Sequence, residues 1–198
     1  MPETPTTAAS PHRPPLEALG LAETAVSRLT RYLETLALWR PRVNLTGART
    51  APERVRLLVA TVLPALPLVA PGALIDVGSG NGSPGLVLAL LREDVHATLL
   101  EPRQKRWAFL REAARASGLR EVRVLRARHD EYDGPPAGTL TMRALALPLA
   151  ELLPLVAPTG RLIVFGQRPE PCLPFVLEPG APEGLHLFCR RGDVPRET

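Results

Sequence analysis

Lysine is nearly missing from this chain. Of its 198 residues 24 are basic, and all but Lys105 are arginine. Cysteine is scarce too. Cys172 and Cys189 exclude a disulfide-built scaffold and do not have the spacing of a zinc finger. The histidines at 12, 96, 129 and 186 stand singly, with no pair four residues apart on a helix, so no metal is expected. Aromatic residues make up 4%, too few for an extended groove that stacks a single nucleic-acid strand. No apolar run is long and unbroken. Residues 57–75 carry no charge, but Pro64, Pro67, Pro71 and Gly72 interrupt them, which excludes a membrane-spanning helix. The N-terminus lacks a basic start followed by an apolar run, so no secretory leader is expected. These absences predict a soluble, cytoplasmic protein with reduced thiols that contacts no membrane.

Proline and glycine are abundant, at 23 and 15 residues. Five of the prolines fall in residues 1–15, which read as a disordered arm. The rest, 16–198, has the length and the apolar content of a single domain. Within it, 16–63 reads as N-terminal helices and 73–198 as an α/β core. Ala22, Val26, Leu29, Leu33 and Leu36 recur at helical spacing and predict one helix over 16–39, stopped by Arg40-Pro41. A second helix is expected over Pro52–Leu63, followed by a loop. From Ala73, short apolar runs alternate with helical stretches. Strands are expected at 73–77, 97–100, 122–125, 140–143 and 161–165. Helices are expected at 85–91, 103–116 and 147–155. This alternation predicts parallel β-α-β units in a doubly wound sheet. A last strand at 185–189 is expected to pair antiparallel, and 166–184 shows no clear element.

The sharpest motif is Ile75-Asp76-Val77-Gly78-Ser79-Gly80-Asn81-Gly82-Ser83-Pro84-Gly85, between a strand and a helix. Glycines there allow a tight turn and close approach to a ligand, and the helix start offers free N–H groups. A dinucleotide loop needs glycine where Ser83 stands. The spacing Asp76-x-Gly78-x-Gly80-x-Gly82 instead resembles the S-adenosylmethionine loop of Rossmann-like methyltransferases. A carboxylate such as Asp76 near the site helps hold the positive amino and sulfonium groups of that cofactor, directly or through water. Glu101, ending the next strand, can accept from both ribose hydroxyls.

The net charge of +4 is localised. Residues 101–130 hold nine basic and four acidic residues, while the rest of the chain is nearly balanced. On the helix at 103–116, Trp107, Leu110 and Ala114 form an expected buried seam, and Arg111 and Arg115 lie four apart on a more polar side. Such a face suits a phosphate backbone.

Taken together these pieces resemble the 16S ribosomal RNA methyltransferase G family, also called the glucose-inhibited division protein B family. The resemblance runs from about residue 20 to 165. It rests on Trp39 with Asn44-Leu45-Thr46, the 75–85 loop, Leu100-Glu101, Lys105-Arg106 with Phe109-Leu110, Arg128, and Arg143-Ala144. It implies a Rossmann-like methyltransferase fold with helices on both faces of a mostly parallel sheet and an N-terminal helical cap. It also implies methyl transfer from S-adenosylmethionine to nitrogen-7 of a guanine in small-subunit ribosomal RNA or the 30S subunit; separately, a monomer is expected. By position, Gly78, Gly80, Gly82, Ser83 and Glu101 would meet the methionine end and the ribose, and Arg128, His129 and Asp130 the adenine. Arg143 would orient cofactor or target guanine at the reaction cleft. Asn44, Lys105, Arg106 and Arg111 would face the RNA. Guanine nitrogen-7 has a free lone pair, so no general base is required.

The chain departs from the family pattern at several points. Leu58 and Thr61 replace a His-x-x-Asp pair, Gly138 replaces an aspartate, Phe165-Gly166 replaces Lys-Gly, and the C-terminal region is shortened and proline-rich. Two alternatives therefore stay open: a member that binds cofactor or RNA without catalysis, and a methyltransferase acting on another substrate.

Overall fold

The computed structural model describes residues 10–119 and 121–190. Its centre is a seven-stranded sheet in the order β3-β2-β1-β4-β5-β7-β6. The strands are β1 (Gly72–Val77), β2 (Val95–Leu100), β3 (Arg123–Leu125), β4 (Ala137–Arg143), β5 (Val156–Phe165), β6 (Phe175–Glu178) and β7 (Leu185–Arg190). β3, β2, β1, β4 and β5 run parallel, and β7 and β6 add antiparallel at one end. The helices are α1 (Arg13–Glu17), α2 (Glu23–Trp39), α3 (Ala51–Val55), α4 (Gly85–Leu91), α5 (Gln104–Ala116) and α6 (Leu149–Leu152).

Side chains alternate across the sheet. Leu74, Ile163 and Phe165 belong to one apolar cluster, with α2, α4 and α5. Ile75, Leu162 and Val164 belong to the other, with α6 and β6. Burial on both faces explains the nearly continuous apolar runs of these strands. Fully burying one such leucine or isoleucine contributes about 1.5–3 kcal/mol. The strand order reverses between β1 and β4, and in such sheets the crevice at the carboxyl ends beside that reversal is where ligands bind.

The expected doubly wound parallel sheet and the antiparallel last strand are present. Several boundaries differ. The expected helix over 16–39 is two, because Gly20 takes φ +69° and turns the chain between α1 and α2. Residues 1–9 of the expected arm lie outside the described residues. The end of that stretch is ordered: α1 starts at Arg13 with prolines in its first turn, and His12 and Leu16 are buried. The second helix is short. Thr50 and Glu53 cap α3 reciprocally, the chain widens into a π turn at Arg56–Ala60, and a 3-10 helix covers Leu63–Leu68, where a loop was expected. The expected helix over 147–155 is one turn of α-helix and one of 3-10, since Pro154 cannot donate to a longer one. β6 was not foreseen. In α5, Leu110 and Ala114 are buried as expected, with Phe109 and Ala113, whereas Trp107 is only half-buried.

Candidate active site

The glycine loop leaves β1 at Val77 and enters α4 at Gly85. Gly78, Gly80 and Gly82 have φ of +68°, +51° and +92°, a region that side-chain-bearing residues rarely adopt. Elements on every side hold the loop. The Ser79 amide donates to Leu100 O at 3.0 Å, and its hydroxyl donates to Asp76 O at 2.9 Å. Tyr32 Oη donates to Asn81 O at 2.8 Å, and Asn81 Nδ2 donates to Leu45 O at 2.9 Å. The loop is thus tied to α2 and to the segment before α3.

The three glycines serve different purposes. Gly80 is buried, yet no atom lies closer than 3.5 Å to where a Cβ would stand, so its backbone conformation is what demands glycine. At Gly78 a Cβ would collide with Leu145 Cδ1. Gly82 is turned inward. A Cβ there would stand 3.1 Å from Leu86 Cδ2 and 3.3 Å from Tyr32, which makes it a packing position and not the ligand-facing one expected.

Glu101, at the end of β2, is buried and points into the loop. Its Oε2 accepts from the Gly80 amide at 3.0 Å and its Oε1 from the Arg103 amide at 2.8 Å. This carboxylate is therefore fixed beside the loop, with lone pairs left for hydroxyl donors.

Asp76 lies beneath the glycine loop. It is fully buried, its Oδ1 accepts from Thr141 Oγ1 at 2.6 Å, and its Oδ2 has no hydrogen-bond partner among the described residues. A Cβ on Gly85 would collide with the Asp76 side chain, so this carboxylate sits beneath the first residue of α4. Burial raises its pKa to about 6. Enclosed in this way, the carboxylate is tied to the loop through Thr141, Ser79 and the start of α4.

Ser83 is also committed inward. Its hydroxyl donates to Leu58 O at 2.7 Å and accepts from Arg143 Nη1 at 2.9 Å. Arg143, at the end of β4, also donates to Leu57 O at 3.2 Å and to Thr61 Oγ1 at 3.0 Å, with its guanidinium 4.7 Å above the Phe165 ring. Burial lowers its pKa, though Asp76 and Tyr32 act in the opposite sense. Arg143 thereby joins β4, the glycine loop and the helical segment before β1. It lines a cleft of about 590 Å³ whose other ionisable lining residue is Glu183.

A smaller cavity, about 220 Å³, lies between Gly78, Leu100, Ala127, Arg128, His129 and Leu145. It is the expected adenine side. Arg128 and His129 line it. Asp130 does not, because its carboxylate turns out to pair with Arg128 at 2.9 Å. The His129 ring is buried and its Nε2 lies 2.8 Å from Glu151 Oε2. Leu145 follows Ala144, whose φ of +54° is unusual for a residue with a side chain.

Of the expected RNA-facing residues, Arg106 Nη2 donates to Asn44 O at 3.2 Å, beside the loop. Asn44 and Lys105 are exposed there, while Arg111 lies further along α5, its guanidinium 4.9 Å above the Trp107 ring. Tyr32, Thr141, Leu145, Phe165 and Glu183 were not expected at the site. None carries a local motif, and each arrives through pairing or packing of distant elements. Among the described residues no cluster of three or more metal-binding side chains occurs, and no helix is long and apolar enough to cross a membrane.

The residues present fit S-adenosylmethionine: a rigid loop turned by three left-handed glycines, a fixed carboxylate for hydroxyls, and an apolar slot for a flat ring. Solved structures agree on the fold. An RNA methyltransferase from Salinibacter ruber, in complex with S-adenosyl-L-homocysteine, superposes with a TM-score of 0.56 at 18% identity, covering 70% of this chain and 95% of that one. The putative methyltransferase yhhF from Escherichia coli gives a TM-score of 0.56 at 19% identity, covering 75% and 90%. The fold and the loop together define an S-adenosylmethionine-dependent methyltransferase.

Sequence comparison is more specific. The family described as rRNA small subunit methyltransferase G matches residues 25–165. The ribosomal RNA small subunit methyltransferase G of Halorhodospira halophila is 41% identical over 155 residues, covering 73% of this chain and 71% of that protein. The protein of the same name from Neisseria meningitidis serogroup C is 36% identical over 152 residues, covering 75% and 70%. This chain belongs to the rRNA small subunit methyltransferase G family.

Proposed function

We propose that this protein transfers a methyl group from S-adenosylmethionine to nitrogen-7 of a guanine in 16S ribosomal RNA within the 30S subunit. The observation that carries this reading is the convergence of three strand ends. The glycine loop after β1, Glu101 after β2 and Arg143 after β4 meet at one crevice. When bound, S-adenosylmethionine supplies an electrophilic methyl carbon on a positively charged sulfur.

Glu101 accepts from the ribose hydroxyls. Gly78 and Gly80 let the backbone approach the methionine end, and Ala127–His129 with Leu145 enclose the ring. Arg143, held by three acceptors, keeps its guanidinium at the mouth of the larger cleft, where a guanine enters. The attacking nitrogen loses no proton, so the side chains need to align and exclude water and need not act as acid or base. Alignment of this kind supplies up to about 7–11 kcal/mol of a barrier. Arg143 is thus an orienting residue, and Lys105, Arg106 and Asn44 meet the RNA at the rim.

The test is incorporation of labelled methyl from S-adenosylmethionine into undermethylated 30S subunits by the purified chain. Mapping of the product to a 16S guanine nitrogen-7 is expected. No incorporation, under conditions where a standard family member works, overturns the reading.

A further inference from the structure

The chain has two tryptophans, and both line one cleft. Trp39 ends α2 and Trp107 lies in the first turns of α5. With Arg42, Arg111, Glu112 and Arg115 they surround an open space of about 650 Å³ on the surface. The Trp107 ring is held on two sides. The Trp107 indole N–H donates to Val124 O at 3.2 Å, and the Arg111 guanidinium lies 4.9 Å above its ring. Trp39 meets Phe109 edge to face, with ring centroids 6.0 Å apart. Both tryptophans stay half-exposed.

The charge around them is positive. Of the three arginines only Arg115 has an ion-pair partner among the described residues, Glu112 at 2.6 Å. Arg42 and Arg111 are cations without one. The cleft also adjoins the rim of the glycine loop. Arg106, next to Trp107, donates to the backbone of Asn44, two residues beyond Arg42. A basic track therefore runs from Gly80 past Arg106 to Arg42 and Arg111.

We propose that this cleft is a second RNA contact, apart from the methyl-transfer crevice, that holds one unpaired nucleotide. Its base packs on Trp39 and on the Arg111–Trp107 stack, and its flanking phosphates meet Arg42 and Arg111. The chemistry selects single-stranded RNA. A flat indole and a stacked guanidinium match the face of a base, which a duplex keeps covered by its neighbours. An acidic peptide would satisfy the arginines and leave the aromatic surface unmatched. The cleft has room for one such contact, in keeping with the low aromatic content. The inference rests on the reading of RNA as substrate and adds to it a point of anchorage outside the reaction site.

Because both tryptophans lie in the cleft, intrinsic fluorescence excited at the indole band reports on it alone. Titration of the full-length protein with an unstructured hexaribonucleotide should quench that emission saturably, and added salt should weaken the effect. Binding of labelled hexanucleotide, read by anisotropy, should fall about tenfold for Trp39→Leu and for Arg42→Glu and be largely kept by Trp39→Phe. In methyl transfer to 30S subunits the first two should raise KM for the subunit, with the Kd for S-adenosylmethionine held. Absence of quenching, equal quenching by poly-glutamate, or Trp39→Leu and Arg42→Glu both binding RNA like the wild type would overturn the proposal. If the wild type methylates 30S subunits and Arg42→Glu does so with an unchanged KM, the cleft fails and the assigned reaction stands. If the wild type transfers no methyl yet binds the hexanucleotide through Trp39, the reaction fails and the cleft stands.

Discussion

Arg143 donates to the Ser83 hydroxyl at 2.9 Å, across 60 positions of sequence, and through that bond the end of β4 holds the turn that opens α4. Arg143 is shared among Leu57, Ser83 and Thr61, so no shorter or less branched side chain replaces it. Arg143→Ala should lower methyl transfer at least tenfold, about 1.4 kcal/mol in the barrier. Arg143→Lys should recover only part, since an ammonium lacks the planar fork that reaches several acceptors. Single-turnover rates with saturating cofactor check this. Unchanged rates for both variants would remove Arg143 from the orienting role.

Gly80→Arg should abolish S-adenosylmethionine binding and, because Gly80 is buried at a φ of +51°, should also lower the melting temperature, though by less than Gly85→Ala. Gly85→Ala should fail to fold or melt far lower, because its Cβ meets the buried Asp76. Calorimetric titration for the first and thermal denaturation for the second separate the ligand-facing glycine from the packing glycine. Binding by Gly80→Arg with wild-type affinity would displace the site from this loop.

Burial raises the pKa of Asp76 to about 6, from 3.8 in a model peptide. The folded state therefore holds the proton more tightly than the unfolded chain. The stability this contributes is fully present below pH 3.8 and is lost as pH rises through about 6. Asp76→Asn, neutral throughout, should melt higher relative to wild type at pH 8 than at pH 4. Melting curves across that range check it, and a pH-independent difference would refute the assignment. Thr141→Val removes the donor to Oδ1 and should cost about 1–3 kcal/mol at neutral pH.

His12 titrates with the opposite sign. Its Nε2 accepts from Arg54 Nε at 3.0 Å, and burial, with the Arg54 charge second, lowers its pKa. The contribution of neutral His12 is present above its usual value of 6.5 and is lost as pH falls through its lowered value. Wild type should thus lose stability more steeply than His12→Gln as pH falls below 6.5, since glutamine keeps an acceptor for Arg54 but takes up no proton. Parallel acid melts of the two proteins test this.

The legible parts of the molecule were those whose cause is local. α4 was expected at 85–91 and spans Gly85–Leu91, since a glycine loop and an apolar run define both its ends. Glu101 was readable from its place after an apolar strand. Asp76 was found but its role was not: the spacing shows a carboxylate before the loop, and only the pairing of β1 with β4 shows Thr141 beside it and no solvent. His12 looked like part of a polar arm. Its burial follows from Arg54, far along the chain, and no periodicity encodes such a contact. Leu145 reaches Gly78 because Ala144 takes a positive φ, which alanine does not advertise. β6 has only four residues, and its strand character comes from its partner β7.

Among the described residues the two ends of the sheet are its shortest strands: three residues in β3 and four in β6. Pro174 and Pro179 bracket β6, and Arg123 and Arg126 stand at β3. A strand that short, with imino acids or cations at its ends, makes a poor template for another chain to pair with. The prolines of 167–182 thereby acquire a colloidal meaning. Pro174 and Pro179 keep β6 short, and a short edge strand offers few free backbone groups for lateral pairing.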